Sequence, residues 1–136
     1  MKRIEEQARR LDQEYQEIAQ LFDQFCQQAG TLAEQYHFFN WPDYEDTPPL
    51  ARAFTLLGEP RELRLRCQPG DRGSLSGLIQ VCGEEGTIHA SLGFRADGHL
   101  LLESGRLLDN PPELLLKLLL GAIWQHKPDD VQGQPH

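Results

Sequence analysis

From Ile4 onward the chain sets apolar residues at alternating steps of four and three: Ile4, Ala8, Leu11, Tyr15, Ile18, Phe22, Phe25, Ala29, Leu32 and Tyr36. That spacing is the seam of a helix, and it predicts a long opening one. At about 1.5 Å of rise per residue such a helix is a rod of roughly 50 Å, whereas a globule of this length has a radius of gyration of only about 14 Å. Part of the rod should therefore project. Up to residue 17 the seam is narrow and flanked by the i,i+4 pairs Glu5–Arg9 and Glu6–Arg10, which suit a solvated helix. Beyond it Ala19, Leu21, Cys26 and Ala33 widen the stripe to the breadth of a face packed on a core. Residues 1–17 read as an arm and the rest as body. The seam has two possible uses, packing inside the fold or pairing between chains. Alanine and aromatic residues on one side of it, and Gly30 within it, suit the first; the exposed arm suits the second.

Residues 37–49, HFFNWPDYEDTPP, form a linker in which Phe38, Phe39, Trp41 and Tyr44 are the packing anchors. Thr47 is then expected to cap a short second helix, with Pro48 in its first turn, Leu50, Ala53, Phe54 and Leu57 on one face, and Gly58 with Pro60 ending it. From Arg61 to Gly105 the period changes to two. Leu63, Leu65 and Cys67 make one inner row, Leu75, Gly77, Ile79 and Val81 the next, and Ile88, Ala90, Leu92 and Phe94 a third, separated by the turns QPGDRGS and GEEG. A three-residue loop, Ala96 to Gly98, would set Phe94 against Leu100 and Leu92 against Leu102, which completes a four-stranded antiparallel meander. A closing helix follows, opened by Asn110, Pro111 and Glu113.

That last helix contains LLLKLLLGAIW, residues 114–124, interrupted only by Lys117 and Gly121. A helix apolar on all sides must be buried on all sides. One side falls on the inner sheet face; the others need the opening helix, the short helix or a second copy of the chain. The fold class is thus α+β: a single domain over residues 1–127 and a flexible tail over 128–136.

Charge narrows the partners. The formal net charge is −8, with 13 Lys and Arg against 21 Asp and Glu, so nucleic acid is not an expected partner and a basic or apolar protein is. The N-terminal MKRIEEQARRLDQ has no apolar signal segment, and no apolar run nears the roughly 20 residues that cross a bilayer, so no membrane role and a cytoplasmic location are expected. Cys26, Cys67 and Cys82 form no CxxC pair and read as free thiols, while His37, His126 and His136 lack metal-ligand spacing and His99 reads as a turn residue beside Gly98. No metal, cofactor or catalytic residue is assigned: GxxxxGK, HExxH, GxSxG and GxGxxG are all missing, and GDRGSLSG lacks the lysine and the helix of a phosphate loop.

Polar groups converge on the outer sheet face. The meander would align Arg64, Leu78, Ser91 and Glu103 in one row and Glu62, Gln80 and His89 in the next, with Arg66 beyond. Arg64, Arg66, Gln80, His89, Ser91 and Glu103 are accordingly the ligand-binding candidates, able to hold an anion or to exchange protons if desolvated, although a solvated sheet face alternates in the same way. Partner-binding candidates are Ile4, Ala8, Leu11 and Tyr15 on the arm and Leu115, Leu119 and Trp124 on the closing helix.

The functional expectation is a non-enzymatic, homodimeric adaptor or chaperone-like module that holds another protein through apolar helical surfaces. One alternative is a small enzyme or ligand-binding protein using the face around His89. Another is an acidic neutraliser of a basic toxin, working through Asp43, Glu45 and Asp46. In size, acidity and Leu-rich closing helix the chain resembles the secretion chaperones of bacterial type III systems, which implies protein binding. Its long opening helix departs from their short one, and no motif carries residues across.

Overall fold

The computed structural model describes residues 2–41, 50–70 and 73–125. Helix α1 spans Lys2–Ala29 and runs into a 3-10 turn at Gly30–Glu34. Strands β1 (Phe39–Asn40), β2 (Ala51–Leu56), β3 (Glu59–Pro69), β4 (Leu75–Cys82) and β5 (Ile88–Arg95) follow, and helix α2 (Pro111–Gln125) closes the chain. The strands form one antiparallel sheet in chain order. The architecture is α+β, with five strands where four were expected.

Three differences account for that count, the simplest being β1, which lies inside the segment 37–49 expected to be a linker and pairs Phe39 with Leu56. The segment read as a short second helix is β2, paired with β3 from Ala51 opposite Arg64 to Leu56 opposite Glu59. Ala53 and Leu57, placed on the buried face of that helix, are exposed, while Phe54 and Leu56 are buried at a spacing of two. Gly58 turns the chain rather than ending a helix: Leu57 (φ 54°) and Gly58 (φ 81°) form a two-residue hairpin turn of the type with both φ values positive. The third difference is at the far edge. Phe94 does face Leu100, but only as a single bridge, and no strand forms over residues 100–103. His99 instead bridges Arg106, Leu100 N–H donates to the Gly105 carbonyl at 3.0 Å, and Leu102 is 97% exposed rather than opposite Leu92. Thr47, Pro48 and Tyr44, the acidic residues Asp43, Glu45 and Asp46, His126 and His136, and the tail 128–136 lie outside the described residues.

Both helices lie on one face of the sheet, α1 over β3 and β4 and α2 over β4 and β5, and they touch each other. The inner row of each strand meets Ile18, Phe22, Phe25 and Ala29 of α1 and Leu115, Leu118, Leu119 and Ala122 of α2. Gly77 lets α1 approach: a Cβ there would lie 2.7 Å from both Ile18 Cγ2 and Phe94 Cζ. The apolar surplus of α2 is thus largely sheltered within one chain, by the sheet below and α1 alongside. At its N-terminus Asn110 Nδ2 donates to Glu113 Oε1 at 3.0 Å and Leu114 N–H to the Asn110 carbonyl at 3.2 Å, so the two expected capping residues meet side chain to side chain and not through the backbone N–H bonds of a capping box.

Candidate functional site

Burial begins along α1 at Glu14, whose Oε1 accepts the Leu75 N–H at 2.9 Å and so ties the helix to the first residue of β4. Residues 3–13 are exposed. The seam does not stop where the body does: Ile4 is 61% exposed, Leu11 46% and Tyr15 40%, and Ala8 is exposed with them. From Ile18 to Ala29 the same stripe is fully buried. Four of the expected partner-binding residues therefore form one apolar line on α1. The expected three on α2 separate: Leu115 and Leu119 are completely buried and face the chain's own core, whereas Trp124 is largely exposed, as is Leu120 near it.

The mixed sheet face has a different register from the one the four-strand meander implied. Arg64 pairs with Gln80 and Gln80 with Ser91, so these three form one row; Arg66, Leu78 and Gly93 form the next. Glu62 pairs with Cys82, and Cys82 with Ile88, across a bulge between Val81 and Cys82 that leaves His89 without a place in the row. The His89 ring lies against Gly83, where a Cβ would be 2.3 Å from its Nε2. Glu103 is not on this face. It accepts from Lys117 Nζ at 3.1 Å, bridging the post-β5 segment to α2.

Arg64 is fixed in place. Its Nε and Nη2 donate to Glu62 Oε1 at 3.1 and 2.6 Å, and this carboxylate holds the guanidinium's pKa above its ordinary value. Gln80 is only 5% exposed although it points away from the core. Burial pushes the Cys82 thiol up, with Arg64 opposing and Glu62 adding. Among the described residues no three His, Cys, Asp or Glu side chains are grouped to hold a metal.

A feature the sequence pattern did not single out lies between β5 and α2. A groove of about 470 Å³ is lined by Ala90, Ser91 and Leu92 from β5 and by Leu114, Leu118 and Gly121 from α2, with the Lys117–Glu103 pair beside it. Two bonds begin a ladder on this edge of β5, from Arg95 N–H to the His99 carbonyl at 2.8 Å and from Leu101 N–H to the Gly93 carbonyl at 3.0 Å. The chain then turns away at Leu102. Gly121 leaves the helix wall open, since a Cβ there would meet nothing within 4 Å. A glycine inside a run of leucines was the one available signal for this groove.

Among the described residues no helix is long and apolar enough to cross a membrane. No protein-family model, no curated protein and no solved structure matched the chain.

Proposed function

We propose that this chain is a non-enzymatic, cytoplasmic protein-interaction module that works as a homodimer joined along the exposed half of α1. One observation carries the reading: a helix stripe wholly buried from Ile18 to Ala29 continues outward through Tyr15, Leu11, Ala8 and Ile4 with that side turned to solvent. Exposed apolar lines of this kind mark association surfaces, because pairing removes them from water at about 25 cal/mol per Å². The flanking charges suit it as well, since Arg10 and Glu14, 3.8 Å apart, leave the stripe itself uncharged. Trp124 and Leu120 at the end of α2 supply a second apolar surface, which serves the further protein that the module holds.

Sedimentation equilibrium across a dilution series tests this, comparing the full chain with a Leu11→Glu, Tyr15→Glu double variant. A dimer that the double variant converts to a monomer is the expected result. A wild-type monomer at every concentration removes the homodimer, and a dimer unaffected by both glutamates removes α1 as its joint.

A further inference from the structure

The outer sheet face holds an amide that the fold leaves without a hydrogen bond. Gln80 sits on central strand β4, its side chain leaving the sheet between Arg64 and Ser91, and it is 5% exposed. Its carboxamide makes no hydrogen bond to any described residue. A buried amide in that condition destabilises a protein unless something else completes it. Ser76, equally buried and on the same face of β4, has a hydroxyl in the same condition.

The surroundings say what would complete it. Although the whole chain is acidic, this face carries Arg64, which Glu62 binds, and Arg66 on β3, and Arg95 on β5, whose guanidinium lies 3.6 Å from the Asp97 carboxylate. Glu62 occupies the Nε and one Nη2 proton of Arg64, so the guanidinium is held still while, among the described residues, no acceptor takes up its Nη1 edge. Arg66, one row along, has no ion pair with a described residue. Directly across the strands, neighbouring Cβ atoms are about 5 Å apart, so a group of two or three oxygens reaches Arg64, Gln80 and Ser91 together. Planar guanidinium groups match carboxylate and phosphate oxygens in this way.

We propose that the outer face of the sheet binds a small oxyanion, a carboxylate or phosphate group, between Arg64, Arg66, Gln80 and Ser91. The Gln80 amide N–H and the Ser91 hydroxyl donate to it, and the two guanidinium groups balance its charge. Glu62 positions Arg64 by holding its Nε and Nη2 edge. This site is independent of the α1 joint and would survive the loss of that reading.

Two-dimensional NMR of the full chain tests it, with inorganic phosphate and succinate replacing chloride at constant ionic strength. The expected result is a saturable shift of the Gln80 side-chain amide and Arg64 Nε signals with either anion, stronger with the class that binds better. Arg64→Gln and Arg66→Gln should each weaken that response about ten-fold. Gln80→Leu should abolish it while leaving the ligand-free protein as stable or more so, because the unpaired amide is gone. Uniform weak shifts at every arginine, Arg3, Arg9 and Arg10 of the arm included, or no shift at Gln80, overturn the proposal. So does a Gln80→Leu variant that keeps the wild-type response.

Discussion

The Arg52 guanidinium donates from Nη2 to Asp23 Oδ1 at 2.7 Å, and its Cζ lies 5.6 Å from the centre of the Phe22 ring. The arginine thus occupies the inward row of β2, two residues before Phe54, under the second half of α1. Its side chain is 15% exposed and that of Asp23 47%, so the charge is partly desolvated while its partner stays wet. A replacement that keeps the stem and drops the charge should cost little, because packing on Phe22 survives and desolvation is relieved. Arg52→Met is expected to change stability by no more than about 1 kcal/mol and Arg52→Ala to lose roughly 2 kcal/mol, most of it packing. Urea unfolding of the two variants separates them; equal losses would show that charge, not packing, holds this corner.

The same arginine explains why β2 was read as a helix. With Arg52, Phe54 and Leu56 facing inward, the alternation that marks a strand begins on a charged residue, while Leu50, Ala53, Phe54 and Leu57 match a helical stripe by spacing alone. The hairpin turn at Leu57–Gly58 and the ladder to β3 decide between them, and neither is local to the segment. The last expected strand failed for a related reason. Leu100 to Leu102 look like a strand continuing the meander, but Gly105 lets the chain fold back on itself, so Leu100 N–H donates to the Gly105 carbonyl and Leu107 N–H to the Gly98 carbonyl, which sets His99 opposite Arg106 instead. The long seam of α1 and the capped, Leu-rich α2 were legible because their signals repeat over many residues. The row Arg64–Gln80–Ser91 was not, since the β3–β4 and β4–β5 pairings each fall two residues away from the expected ones, although Arg64, Gln80 and Ser91 themselves were all among the candidates.

Gly77 is where α1 comes closest to the sheet. A methyl group there would press on Ile18 Cγ2 and Phe94 Cζ, each 2.7 Å away, and neither belongs to a side chain with room to swing. Gly77→Ala should destabilise the fold by about 1–3 kcal/mol, the usual cost of overpacking. Pairing it with Ile18→Ala, which removes one of the two atoms in the way, should recover part of that loss against the sum of the single variants. A double-mutant cycle by thermal unfolding measures the coupling, and strict additivity would contradict the close approach.

Leu57 holds a φ of 54° that side chains other than asparagine and glycine adopt at a cost, and it is mostly exposed, so its apolar side chain returns little. Asparagine followed by glycine is the preferred pair for this turn. Leu57→Asn should therefore stabilise the chain by about 0.5–1 kcal/mol, visible as a higher urea midpoint at unchanged slope. A loss of similar size would mean that the turn is not of this type.

Cys26 offers a test at alkaline pH. Burial pushes its thiol up to about 12 from an ordinary value of 9.0, with Arg52 opposing and Asp23 adding. The folded state keeps the proton after the unfolded chain has released it, so the folded state binds more protons between those two values and stability falls as pH rises. The stabilisation is whole below pH 9, declines above it, and is spent once pH passes the folded value near 12. Between pH 8 and pH 10 the loss from this group alone should be about 1 kcal/mol. Cys26→Ala will lower stability at every pH by opening space beside Phe22 and Phe25, yet its decline over the same interval should be shallower by that amount. Parallel curves for the two proteins would show that the thiol is accessible to hydroxide in the folded state and that the packing of α1 on the sheet is looser than its buried seam requires.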